Sequence, residues 1–415
     1  MRILYYCDEY PPVKSGGIGT VTKIIAEEMV KRGHSVFVMS GILPNVALPL
    51  SAVDNGVEIY RFKYFQTLAF LFGHKINSET LAVKFLRKIG ILGKMAANEF
   101  VRTQKIVRQF IKDNNIDIVE FPDYLKLSDY YRTREKVTFP RYEIPIVARI
   151  HGSQSFASYY RDGFIDSINK YNDISFLNRA DKIIAVSRFS ANFINDKLGM
   201  KRNIDVVYNP IDLRDIVNNM NALPHSGKNG TKSIVFIGKI VETKGAFTLI
   251  KAFNNFVKRH EDYRLIMIGG GDIERGQSLV DPVAEGHVVF TGYISRKEIC
   301  EYIANAAFCC VPSYFENFSM VALEIMTLGK ALIYTRESSG PEVITDGKNG
   351  ILVNPFSPAE IEEKMELLSE DSRLCTFLGR EAKKMVMNTY TVPVIVTELE
   401  THYNNLIDAK TNNKY

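Results

Sequence analysis

Short apolar runs of strand length alternate with helix-length amphipathic segments along almost the whole chain, and no other feature restricts its fold so strongly. Such alternation predicts strands that pair in parallel, because each crossover helix packs back onto the sheet. In the first half the runs lie at 2–6, 36–39, 57–62, 117–120, 144–150, 182–186 and 204–208. In the second half they lie at 233–237, 264–268, 288–291, 307–311 and 331–334. Between the halves, residues 220–232 include Pro224, Ser226, Gly227, Asn229 and Gly230, the composition of a linker. A chain of 415 residues exceeds one ordinary core. The expected architecture is therefore α/β, with two parallel-sheet domains, 1–212 and 213–389, facing across a cleft. The final segment, about 390–415, holds an amphipathic pattern through Ile395, Leu399, His402, Tyr403 and Leu406.

Composition excludes several classes. A net charge of +5 without a known reading motif argues against a nucleic-acid binder. Five cysteines, without paired C-x-x-C spacing, fit a reducing compartment better than a disulfide framework. The first residues lack the charged and apolar regions of a signal peptide, and no uncharged apolar run approaches the ~20 residues of a membrane span. The expected location is the cytoplasm or the cytoplasmic face of a membrane. Residues 84–112 carry eight Lys or Arg against the single acid Glu99, after an aromatic stretch from Tyr64 to Phe72. Either an anionic membrane surface or a solvated basic helix face accounts for that segment.

The chemistry concentrates in residues 313–330, which read as a loop after a buried strand, then a helix stopped by Gly329. Free amides at the helix start, at Phe318, Ser319 and Met320, attract an anion. Glu324 lies among Val321, Ala322, Leu323, Ile325 and Met326, and a buried carboxylate needs partners. Taken singly, Glu324 reads as a structural ion pair and Glu316 as a solvated loop residue. Near the amino terminus, Gly16, Gly17 and Gly19 separate a strand from a helix, which suits either a phosphate cradle or a structural turn. The third glycine and the ribose-binding acid of a dinucleotide site are missing. His151 follows a strand end, where ligands of open sheets bind, and brings a group that titrates near neutrality. Lys239 and Lys244, five residues apart after the first strand of the second half, suit a diphosphate. The turn Gly269-Gly270-Gly271-Asp272 would let backbone approach a flat base.

Zincin, paired-cysteine, Walker-type and nucleophile-elbow patterns are missing, as is any Asp-x-Asp. Cations and helix amino termini are then expected to neutralise a diphosphate, with no metal and no cofactor. With Glu316 and Glu324 spaced as E-x7-E, and with Gly16-Gly17, His151-Gly152, Asn209-Pro-Ile-Asp212, Gly238-Lys239-x4-Lys244-Gly245 and 346–353 in order, the chain resembles the GT-B glycosyltransferases of family 4. The resemblance implies two Rossmann-like domains, with the terminal helix crossing back onto the first. It also implies a retaining, metal-free transfer from a nucleotide diphospho-sugar, UDP favoured, to a glycan or lipid-linked acceptor in surface polysaccharide synthesis.

By the same resemblance Glu324 holds the ribose hydroxyls and Glu316 the donor sugar. Lys239 and Lys244 hold the diphosphate with Asn317, Phe318, Ser319, Met320 and the Gly16-Gly17 loop. His151 sits beside the reacting sugar. Three departures stand out: Lys239 where Arg is usual, Glu316-Asn-Phe-Ser in place of Glu-Gly-Phe-Gly, and Gly152 where Asp is frequent. A sugar-nucleotide epimerase or hydrolase on the same fold is the rival expectation, and a silent scaffold subunit the third.

Overall fold

The computed structural model describes residues 1–13, 16–42, 46–64, 89–125, 135–214, 216 and 232–412. The chain divides into two compact units, Met1–Pro210 with Ile395–Tyr415, and Ile211–Val394. Most of the aromatic stretch, the first residues of the basic segment and the expected linker lie outside the described residues.

In the first unit an eight-stranded sheet has the order β3-β4-β2-β1-β5-β6-β7-β8. Its strands are β1 (Arg2–Tyr6), β2 (Ser35–Ile42), β3 (Ser51–Asp54), β4 (Val57–Lys63), β5 (Ile118–Pro122), β6 (Ile146–Ile150), β7 (Lys182–Ala185) and β8 (Asp205–Val206). All neighbours pair in parallel except β3 with β4. The periodicity missed β3, whose alternately exposed residues make a short antiparallel edge. It overextended β8, which keeps only two residues at the opposite edge. The strands near the middle, β1, β2, β5 and β6, are almost wholly buried, as sheets covered on both faces require.

The last helix, Val392–Asn412, docks on this unit. Ile395, Val396, Leu399 and Tyr403 form its buried face. Tyr403 donates its hydroxyl to Oε2 of Glu120 on β5 at 2.5 Å, and Lys410 reaches the carbonyl of Ile144 at 2.8 Å. Burial pushes the Glu120 carboxyl up, and Arg149, on the neighbouring strand, offsets part of that cost.

The second unit holds a six-stranded, all-parallel sheet of order β11-β10-β9-β12-β13-β14. The strands are β9 (Lys232–Ile237), β10 (Tyr263–Ile268), β11 (Val288–Gly292), β12 (Phe308–Val311), β13 (Leu332–Thr335) and β14 (Ile351–Val353). Phe236, Leu249, Phe253, Leu265, Phe308, Ile333 and Met365 are at the centre of its core. Chain order runs outward from β9 to β11, then returns to β12 on the other side of β9. Neighbouring strands whose connections leave in opposite directions open a crevice at their carboxyl ends. In this unit the crevice lies after β9 and β12. In the first unit the same reversal falls between β1 and β5, with β6 next in line.

Candidate active site

The two loops that meet at the β9–β12 reversal carry the sequence-selected lysines and carboxylates. After β9 the chain runs through Gly238 and Lys239 into a short 3-10 turn, Glu242–Lys244. Gly245 then opens the helix Ala246–Phe256 with φ 68, and an added Cβ would stand 1.9 Å from the Pro312 carbonyl oxygen. Only glycine fits there. Tyr314, from the loop after β12, stitches the two loops together. Its N–H donates to the Thr243 carbonyl at 3.0 Å, and its hydroxyl lies 2.9 Å from Glu242 Oε1 and 2.8 Å from Thr248 Oγ1.

This approach sets the Lys244 ammonium 2.6 Å from Oε1 of Glu316. The same oxygen accepts the Ser313 hydroxyl at 2.9 Å. The Glu316 N–H donates to Ser338 Oγ at 2.8 Å, and the Ser339 hydroxyl donates to the Glu316 carbonyl at 2.8 Å. Ser338 holds φ 55, a left-handed backbone unusual for a residue with a side chain. Glu316 is therefore not a free surface carboxylate; three surrounding serines and a lysine fix it. Lys239, from the same loop as Lys244, is exposed.

The helix Met320–Thr327 begins immediately beyond Glu316, Asn317 and Phe318. Its N-cap is Ser319, whose hydroxyl accepts the Ala322 N–H at 3.3 Å. The cap takes one amide, and Met320 and Val321 begin the first turn. Phe318 is buried and packs edge-on to Tyr390 at 5.6 Å, so it contributes backbone rather than its ring. Glu324 is 9% exposed and pairs with Arg296 at 2.7 Å. Its partner is thus an arginine opening another helix, Arg296–Asn305, which the sequence did not single out.

The glycines at 269–271 allow close packing against the loop after β9: an added Cβ at Gly269 would stand 2.1 Å from the Gly238 carbonyl oxygen, and one at Gly271 would stand 2.5 Å from that of Ile240. The 346–353 motif builds a turn into β14, where Asp346 Oδ1 accepts the Leu352 N–H at 2.8 Å.

In the first unit, His151 directly follows β6. Burial and the nearby Arg149 charge push its ring down to about 3, although part of the residue reaches the surface. The sequence expectation of a group titrating near neutrality is overturned, because a neutral ring costs less than a second cation beside Arg149. The turn it occupies is held by Asp123, one residue past β5, which sequence reasoning missed. Its Oδ1 accepts the His151 N–H at 2.8 Å and its Oδ2 the Gly152 N–H at 3.0 Å. The available signal was an acid just beyond a strand end, in Phe121-Pro122-Asp123. Gly16 is the N-cap of the helix Gly17–Lys31 and donates its N–H to the Glu9 carboxylate at 3.2 Å. An added Cβ at Gly17 would meet nothing within 4 Å, so this helix end is open. Among the described residues, no group of three His, Cys, Asp or Glu is arranged to hold a metal ion.

Residues 15–215 match the family model Glycosyltransferase Family 4, and residues 222–385 match Glycosyl transferases group 1. The chain belongs to the group 1, family 4 glycosyltransferases. Curated relatives from Methanocaldococcus jannaschii include two described as uncharacterized glycosyltransferases, MJ1607 and MJ1069. MJ1607 is 25% identical and is matched over 97% of this chain and 98% of its own length. MJ1069 is 26% identical over 55% of this chain and 60% of its own length. Among solved structures, sucrose-phosphate synthase from Thermosynechococcus elongatus superposes with a TM-score of 0.74 at 17% identity, covering 99% of this chain and 100% of that one. Anabaena HepE in complex with UDP-glucose superposes at 0.66 and 17%, covering 98% and 100%. The fold of this glycosyltransferase is therefore GT-B, and no helix among its described residues is long and apolar enough to cross a membrane.

A neutral His151 makes a direct prediction for this glycosyltransferase. By NMR its ring C2 proton keeps the neutral-imidazole shift from about pH 8 to about pH 5. A midpoint between about 6 and 7 would contradict the burial argument.

Proposed function

We propose that the protein transfers a sugar from a nucleoside diphosphate, UDP favoured, to a hydroxyl of a glycan or lipid-linked acceptor, with retention at the anomeric carbon. The observation that carries this reading is the Lys244–Glu316 pair beside the start of the helix Met320–Thr327, with Glu324 inside that helix. One place offers a cation, a helix start and two carboxylates. A diphosphate needs the first two, and sugar and ribose hydroxyls need the last.

In this reading Glu324 accepts the ribose hydroxyls. Lys239 and Lys244 meet the diphosphate, assisted by the backbone from Asn317 to Met320 and by the Gly16-Gly17 helix start. Glu316 contacts the donor sugar, and the neutral His151 ring orients a sugar hydroxyl as a hydrogen-bond partner. The carbon–oxygen bond to the diphosphate breaks, a bond to the acceptor oxygen forms on the same face, and the acceptor hydroxyl proton passes to the departing diphosphate oxygen. Two lysines and a helix start supply the positive charge, so no metal is required. HepE, solved with UDP-glucose, supports UDP as the carrier.

A membrane-linked acceptor fits the helix Ile91–Asp113. Ile91, Lys94, Asn98, Val101, Lys105, Arg108 and Lys112 are exposed at helical spacing, so cations and apolar side chains share one face. Ile89, just before the helix, is also exposed. Such a face suits an anionic lipid surface, and surface polysaccharide synthesis is the setting we assign.

Three measurements test these assignments. Glu324→Gln weakens UDP binding in calorimetric titration by about 10-fold, the cost of about 1.4 kcal/mol in hydrogen bonding to ribose; unchanged affinity would sink that role. Transfer from UDP-glucose persists in excess chelator, whereas loss restored by Mn²⁺ would refute the metal-free reading. The protein sediments with phosphatidylglycerol vesicles at low salt and is released as salt rises. Equal binding to phosphatidylcholine vesicles, or none to either, would remove the membrane assignment.

A further inference from the structure

The turn at His151-Gly152 has an anchor that its own sequence does not contain. No described residue hydrogen-bonds the His151 ring; the turn is gripped through its backbone. Asp123 is 9% exposed, and each of its oxygens accepts one of two consecutive N–H groups. Its own N–H donates to the Arg149 carbonyl at 2.9 Å, so both strand ends are tied at the same level. An asparagine could not replace this clamp, because its NH₂ would face the second N–H donor.

No lysine or arginine among the described residues pairs with Asp123. Behind it stands a second carboxylate, Asp173 of the helix Ser167–Leu177, which accepts the Ser155 N–H at 3.0 Å. Asp123 and Asp173 line a cavity of about 40 Å³. That is room for a few waters and too little for a sugar ring. The cavity therefore exposes the carboxylates to water without serving as a substrate pocket.

We propose that Asp123 is the positioning residue for His151, acting through the backbone turn and only as a carboxylate. The proposal deepens the transferase reading and rests on it for its kinetic consequences. Burial first, and then the Asp173 charge, raise the Asp123 carboxyl to about 7, while the N–H groups of His151 and Gly152 oppose the rise. The titratable group facing it is Asp173. The other cavity walls are uncharged: Phe100 from the helix Ile91–Asp113, Val137 and Phe139 from the preceding segment, and Gln154 and Asn169 from the two following helices. As pH falls through about 7, the carboxyl gains a proton and one oxygen ceases to be a full acceptor. The turn then loosens, and His151 loses its placement while its ring stays buried and neutral.

The test uses the full-length protein, with UDP-glucose turnover and backbone amide exchange as separate readouts. In the wild type, kcat falls on the acid side of a midpoint near the Asp123 value while KM for donor changes little. Asp123→Asn lowers kcat about 10- to 100-fold, the scale of a misplaced catalytic group, and removes that acid limb. Asp173→Asn keeps the clamp and moves the limb to lower pH, because it removes the opposing charge. Unchanged kcat and limb in Asp123→Asn would overturn the proposal; should that variant not fold, a limb that stays in place in Asp173→Asn would overturn it instead. Exchange of the His151 and Gly152 amides is faster relative to neighbouring amides below the midpoint than above it. Indifference of those two amides to pH and to both substitutions would also overturn it. Failure to turn over any nucleotide sugar would count against the transferase reading alone, since the amide rates still decide the clamp.

Discussion

Everything placed at the reversal of the second sheet depends on one close approach, the backbone of Gly245 against the carbonyl of Pro312. A methyl group at Gly245 would stand 1.9 Å from that oxygen, so the loops after β9 and β12 can close only without a side chain there. Tyr314 then fastens them through a backbone bond and its hydroxyl. Each such bond contributes only about 1 kcal/mol net, but together they define where Lys244 and Glu316 must meet. The ion pair itself is part-exposed and holds the fold together by no more than about 1 kcal/mol. Its partners are free to exchange one another for a ligand at little cost to stability.

The first unit solves a different electrostatic problem. Its central strands are buried on both faces, yet they carry Glu120 and Arg149, and Asp123 lies one residue beyond β5. Tyr403 of the terminal helix caps Glu120, and backbone carbonyls of Val207 and Tyr208 receive the Arg149 guanidinium at 3.1 and 3.3 Å. Burial, reinforced by the proximity of Arg149, keeps His151 neutral, which changes its chemistry from proton carrier to hydrogen-bond partner. The helix that completes this unit comes from the far end of the chain, so the unit cannot be completed until the second has been traversed.

Family membership narrows the chemistry to glycosyl transfer without naming the sugar or the acceptor. Solved structures at 17% identity share the fold, although one is a sucrose-phosphate synthase and another is HepE in complex with UDP-glucose. Substrate choice therefore lies in loops and side chains rather than in the sheet order.

Period-two and period-3.6 patterning made the strands, the crossover helices and the two-part architecture legible, because these are local properties of side-chain spacing. Placement at strand ends and a helix start singled out both carboxylates, both lysines and His151, and the resemblance supplied their roles. What the sequence could not determine was who faces whom. Lys244 meets Glu316 across 72 residues, through strand neighbours that are not consecutive in the chain, and Asp123 grips His151 across 28, from the end of one strand to the end of the next. The same lack of locality hid the Arg296 partner of Glu324 and the packing of the glycines at 269–271 against the loop after β9. The sequence by itself determined which groups arrive at the carboxyl ends of the strands. Only the tertiary structure decided their partners and their charge, because burial and the proximity of other ions depend on the order of strands in the sheet.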